Sequence, residues 1–160
     1  MTQDVLSRSS RIRIDEDWID YNGHLNTAWY HRLFDMGADE ALDEIDLGPR
    51  EITDRNKTIF TAQFHIHHQR EVFVGSEVYS TLRIIDFDDK RMHYLQELHH
   101  ADEHWVSAIA QTLVLHVDLG RRKVEPWPDD IREKIVALHA RHAELPPHPM
   151  VGAVLSIARK

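Results

Sequence analysis

The chain has 160 residues, 42% of them apolar and 29% charged, with no cysteine and a formal net charge of −8. That is the size and balance of one globular domain, and it excludes wholesale disorder, disulfide staples, thiolate metal sites and a cysteine nucleophile. The acidic balance argues against nucleic acid as a partner, and the polar start from Met1 to Arg8 and the lack of a ~20-residue apolar run argue against a membrane, so a cytoplasmic location is expected.

Arg11 to Ile14 alternates polar and apolar residues, as a short strand does. Asp15 to Asn26, rich in Asp, Asn and Gly, is a loop. From Thr27 to Ile45 the apolar spacing turns helical. Trp29, Leu33, Met36, Ala41 and Ile45 fall near one face, with Tyr30, Phe34 and Ala38 beside them, so the helix should be well buried. Asn26 or Thr27 is the N-cap candidate, and Gly48-Pro49 is expected to end the segment.

Thr58 to Asp118 reads as four strands joined by polar turns, the pattern of antiparallel hairpins. In the first, Phe60, Ala62, Phe64 and Ile66 share one face, against Thr61, Gln63, His65 and His67. Val78, Ser80, Leu82 and Ile84 share a face of the second; Met92, Tyr94, Gln96 and Leu98 share one of the third. Val106 to Val117 is the most apolar. Pro126-Trp127-Pro128 is a stop, after which Ile131, Ile135, Leu138 and His142 mark a second, peripheral helix. The tail from Leu145 to Pro149 is irregular and expected to be free. The fold class is therefore α+β, one domain over residues 1–160, with its core at about 8–120 and a C-terminal helix and tail at 126–160. One helix cannot cover both faces of a five-stranded sheet, so a homo-oligomer is expected.

Chemistry concentrates in Trp18-Ile19-Asp20-Tyr21-Asn22-Gly23-His24-Leu25-Asn26. A carboxylate in a Gly-containing loop just before a buried helix sits near that helix's positive end. Free N–H groups there can bind a carbonyl oxygen as it gains charge, and the carboxylate can attack the carbonyl or activate water. The plainer reading is that Asp20 only caps its loop. Other groups carry less. The thirteen histidines include His65 and His67 on one side of a strand, which His93 or His99 could face, but no third ligand has a recognisable metal spacing, so no metal is assigned. Glu71 is either a second polar site group or a salt-bridged loop residue. Ser107 and Thr112 lack the Gly-x-Ser-x-Gly context of a serine hydrolase, and no Gly-rich nucleotide loop is present.

The run Asp20 to Asn26, followed by a helix containing Phe34-Asp35, resembles the signature loop of hotdog-fold thioesterases of the 4-hydroxybenzoyl-CoA thioesterase type. The likeness covers about Arg11 to Asp118. It implies a five-stranded antiparallel sheet wrapped around a long central helix, acyl-CoA as substrate, no cofactor, and a dimer or tetramer. It puts the catalytic carboxylate on Asp20 and an N–H near Thr27 on the thioester carbonyl. Gly23 would let the backbone turn past the ligand. His24 and Asn26 would hold the loop or touch substrate. Arg70, Lys90 and Arg91 are candidates for the phosphates of CoA, and Glu71 for a further substrate contact.

A narrower resemblance, to betainyl-CoA thioesterases of carnitine breakdown, rests on Trp18 to His24, Asp89-Lys90-Arg91-Met92-His93 and His116-Val117-Asp118. Gln111 departs from it, standing where that subgroup is expected to carry Glu. A cationic acyl group would need aromatic faces or a carboxylate, and Trp18, Tyr21, Trp29, Tyr30 and Phe34 are the aromatic candidates, of which two at most should face it. Two other function classes stay open. One is a non-catalytic acyl-CoA binding protein of this fold. The other is a hotdog dehydratase, which would need a catalytic histidine on the long helix; His31 lacks the surrounding motif.

Overall fold

The computed structural model describes residues 5–157. The first four residues, part of the polar start, lie outside the described residues, as do the last three.

In chain order the elements are β1 (Ser7–Arg8), β2 (Ile12–Arg13), a 3-10 turn (Glu16–Trp18), α1 (Thr27–Asp43), α2 (Pro49–Arg55), β3 (Lys57–His68), β4 (Glu77–Phe87), β5 (Arg91–His100), β6 (Val106–Asp118), β7 (Lys123–Val124) and α3 (Asp129–Ala143). The sheet is antiparallel in the order β1-β4-β5-β6-β3, with β2 also on β4 and β7 on β6. The four expected long strands and the long helix are in place. The expected strand at 11–14 is present but shorter, as Ile12–Arg13 on β4, and an unexpected second piece, Ser7–Arg8, pairs with β4 before it; between them Ser9 turns its hydroxyl to accept the Ser80 N–H at 2.9 Å.

The Asn26 side chain caps α1, accepting the Ala28 N–H at 2.9 Å. The buried stripe of α1 is Tyr30, Leu33, Phe34, Gly37, Ala38, Ala41 and Leu42, so Trp29 sits at its rim rather than its centre. Gly37 lets the helix approach the sheet: a Cβ there would lie 1.9 Å from Ser80 Oγ. Buried Gln96 ties sheet to helix by donating to the Phe34 carbonyl at 2.9 Å.

Three expectations are corrected. Gly48-Pro49 does not simply stop the chain; Gly48, at φ +87°, turns it into α2, with Pro49 in the first turn where its missing N–H costs nothing. Glu51 of α2 is buried against His116, with Oε1 2.9 Å from Nε2. Second, the alternation of β3 does not run unbroken from Phe60 to Ile66. A bulge between Thr61 and Gln63 resets the phase, so Ile59 packs inward before it, Phe64 and Ile66 inward after it, and Phe60 is 39% exposed. Third, α3 is not peripheral. Strands of eleven to thirteen residues span about 35–45 Å at ~3.3 Å per residue. The seventeen residues of α1 reach only about 25 Å at ~1.5 Å each. Trp127, Ile131, Ile135 and Leu138 fill the remainder, against Leu82, Ile84 and Met92.

The other face of the sheet takes the tail, which is tied down rather than free. Arg83 donates to the Leu145 and Pro146 carbonyls, His148 meets Glu97 at 3.0 Å, and Gln111 donates to the Met150 carbonyl while accepting the Gly152 N–H. An ionised Glu could only accept, which gives Gln111 a structural reason for standing in its place. Among the described residues no helix is long and apolar enough to cross a membrane.

Candidate active site

The loop before α1 folds back on itself. Ile19 bridges Leu25, Asn26 N–H bonds to the Trp18 carbonyl at 2.9 Å, and Leu25 N–H bonds to the Val72 carbonyl at 2.9 Å. Its tip is a turn from Asp20 to Gly23, closed by Gly23 N–H to the Asp20 carbonyl at 3.0 Å. Gly23 has φ +81° and open space around it, so the turn requires its backbone freedom and no close neighbour does. Asp20 Oδ1 accepts the Asn22 N–H at 2.8 Å, which orients the carboxylate; among the described residues Oδ2 accepts none. Asp20 therefore caps its loop and keeps one oxygen free.

The loop delivers His24, Leu25 and Thr27 to a cavity of about 290 Å³, completed by Tyr30 of α1, His68 of β3, and Gln69, Arg70 and Glu71. Its back wall is ordered by Ser107. The backbone N–H groups of Gln69 and Arg70 bond to the Ser107 carbonyl, and Ser107 Oγ donates to the Arg70 carbonyl at 2.7 Å. With its one proton so used, that hydroxyl accepts from Tyr30 Oη at 3.3 Å. Burial raises the pKa of Tyr30, and burial aided by His24 and His67 lowers that of His68, whose ring meets Tyr30 edge-on at 4.6 Å. Thr27 opens α1, so its N–H precedes the helical ladder; no acceptor meets it among the described residues. The wall of the cavity thus offers a free donor at a helix N-terminus, where a carbonyl oxygen gaining charge would be stabilised.

Of the sequence candidates, the structure brings His24, Thr27, Arg70 and Glu71 to the cavity wall, and sets Asn26 and Gly23 in the supporting loop. Asp20 stands on the loop but is not part of the wall. Lys90 and Arg91 are elsewhere: Arg91 pairs with Leu115 and with the Asp88 carboxylate, at the far end of β5 from His99 and His100. The arginine beside it holds the Asp88 carboxyl down at about 2. Sequence reasoning missed His68 and the supporting role of Ser107. The signal for His68 was its phase, two residues after Ile66 and four after Phe64, both facing inward.

The aromatic candidates disperse. Trp18 and Trp29 stack on one another at 4.2 Å, Phe34 is sealed in the core and Tyr21 is 97% exposed, leaving Tyr30 at the cavity. His31 lies outside it, stacked on Phe64 at 3.9 Å. His65 and His67 are on the outer face opposite Gln111 and Ile109, His93 touches Gln111 and His99 stacks on Tyr79. No group of three or more candidate metal ligands converges among the described residues.

A second cavity, of about 320 Å³, opens on the outer face between the tail and Gln63, His65, His93 and Gln111. It has neither a carboxylate nor a helix N-terminus in its wall.

A family model described as the thioesterase-like superfamily matches residues 15–135. A betainyl-CoA thioesterase of Pseudomonas aeruginosa is 28% identical over 141 residues, 88% of this chain and 89% of that protein. An L-carnitine dehydrogenase/betainyl-CoA thioesterase of Rhizobium meliloti is 31% identical over 133 residues, 83% of this chain; the chain spans only 27% of that longer relative. A crystal structure from Pseudomonas putida KT2440, described as a candidate thioesterase, superposes with a TM-score of 0.79 at 31% identity, over 96% of this chain and 98% of that one.

Proposed function

The chain belongs to the thioesterase-like superfamily, and from that premise we propose that it hydrolyses the thioester of a small acyl-CoA to the free acid and CoA. The observation that carries the reading is Thr27 in the wall of the cavity, its N–H meeting no acceptor among the described residues, at the end of the loop that bears Asp20. The thioester carbonyl oxygen sits on that N–H, where the helix end favours the growing negative charge. Asp20, held by Asn22 with Oδ2 free, is the catalytic carboxylate. Water adds to the carbonyl carbon, the C–S bond breaks, and the sulfur leaves as the CoA thiol once protonated. Gly23 and Asn26 hold the loop; His24, Thr27, Arg70 and Glu71 contact substrate. The resemblance to the betainyl-CoA thioesterases supports betainyl-CoA as the acyl thioester; a cytoplasmic setting is part of the same proposal.

Lys90 and Arg91 lie at the other end of the sheet from the cavity, so the proposal includes a second copy of the chain. The outer edge of β3 pairs with no strand among the described residues. Two β3 edges meeting antiparallel about a two-fold set each copy's Lys57 end beside the other's His68 end. The turn carrying Lys90 and Arg91 is at the Lys57 end, where it can meet the phosphates of CoA. A screen of free-thiol release over a panel of acyl-CoAs tests the reading. Turnover of at least one short acyl-CoA is expected; thiol release from none of them overturns it.

A further inference from the structure

The acyl cavity has an electrostatic character that the expected aromatic residues do not supply. Four of the five aromatic candidates for holding a cationic acyl group do not line the cavity. What the wall does hold is one carboxylate, Glu71, and among the described residues no lysine, arginine or histidine lies within ion-pairing distance of it. The neighbouring Arg70 guanidinium is drawn aside, over the Trp105 ring at 4.1 Å. Tyr30, with its proton given to Ser107, adds no positive charge to the wall. His68 is biased toward its neutral form by burial. Glu71 is therefore the one carboxylate without an ion-pair partner in this small space, and it lies on the same wall as Thr27.

We propose that Glu71 is the residue that selects a positively charged acyl group, by facing a cation carried next to the thioester carbonyl. The inference rests on the thioesterase reading and deepens it. In a betainyl thioester the quaternary nitrogen is one methylene from the carbonyl carbon. A carbonyl held at Thr27 leaves that nitrogen inside the cavity Glu71 lines. A quaternary ammonium cannot donate a hydrogen bond, so it is recognised by charge, which Glu71 provides. Glu71 is solvent-exposed at the mouth, so its effect is that of a partly screened charge, smaller than that of a buried pair.

The test compares kcat/KM for betainyl-CoA with that for 3,3-dimethylbutyryl-CoA, its uncharged isostere, in the wild-type, Glu71→Gln and Glu71→Lys proteins. Wild type should prefer the cation. The ratio should fall about 3- to 10-fold in Glu71→Gln, which is ~0.7–1.4 kcal/mol, and further in Glu71→Lys. Glu71 bonds to no other side chain described, so both variants should fold, which a thermal midpoint near that of wild type checks. A ratio unchanged in both variants, or a wild-type preference for the neutral ester, overturns the role of Glu71 while leaving the thioesterase reading intact. Hydrolysis of neither ester, nor of any other acyl-CoA, overturns that reading itself and this inference with it.

Discussion

At the scale of single residues, Asp20 and His142 carry predictions of opposite kinds. Asp20→Asn keeps size and the acceptor for Asn22 N–H but removes charge and basicity. Turnover should fall about 10²-fold or more, the scale of a lost general base, with the thermal midpoint little changed; a folded variant with near wild-type turnover contradicts the assignment. His142 is wholly buried, with Nδ1 accepting the Ile84 N–H at 2.9 Å. Burial, reinforced by Arg141, Arg83 and His139, pushes its pKa down to about 4 from 6.5. The unfolded chain therefore binds a proton that the folded one refuses. The folding free energy is intact above pH 6.5 and is lost as pH falls toward 4, by roughly 2 kcal/mol at pH 5. His68 shares this sign. Glu97, held low by His99 and His148, weakens the fold only as pH falls below its ordinary value near 4.5, outside a comparison between pH 7.5 and pH 5. His142→Asn keeps an acceptor and does not titrate, so its thermal midpoint should drop less than that of wild type between pH 7.5 and pH 5. Equal drops in the two proteins would refute the argument.

At the scale of elements, α2 is held by a pair no one-dimensional pattern reveals. His116 presents Nε2 to Glu51 and Nδ1 to the carbonyls of Glu125 and Pro126, at 3.2 and 3.1 Å, so both ring nitrogens face acceptors. Glu51→Ala leaves that ring buried with its Nε2 unpaired and should cost about 3–5 kcal/mol in denaturant unfolding. Arg55→Ala, on the same helix, breaks only a largely exposed pair with Asp130 and should cost at most ~1 kcal/mol. Comparable losses would show that the buried pair is not what anchors α2. The same scale explains where pattern reading slipped. Pro49 looks alike at the end of one helix and the start of the next, and α2 shows a buried face only through Glu51, a residue normally counted as exposed. The bulge in β3 leaves no mark in a run of alternating residues, because one extra residue changes phase without changing composition.

At the scale of the whole molecule, the open β3 edge is the unfinished feature. Twelve residues of edge strand present unpaired backbone groups, a template for another strand. The protein should run as a dimer or larger in light scattering, and an active monomer at micromolar concentration contradicts this. Joint Lys90→Ala and Arg91→Ala substitution should raise KM more than it lowers kcat, since phosphate contacts act equally in ground and transition states. An unchanged KM removes both residues from the site.

The sequence by itself determined the four long strands, the two long helices, the loop that carries Asp20, the start of α1 at its Asn26 cap and the residues of α3 that face inward. These follow from period, capping and turn chemistry, which are local and written along the chain. Only the tertiary structure decided that α3 completes the core, that the tail is clamped by Gln111, that Glu71 rather than an aromatic box lines the cavity, and that Lys90 and Arg91 lie far from it. Each of those depends on which distant segments meet, and antiparallel strands of this length send neighbouring turns to opposite ends of the sheet. Residues close in the chain, such as Tyr21 and Asn26, thereby face different surroundings, while Thr27 and Glu71, forty-four positions apart in the sequence, share one wall.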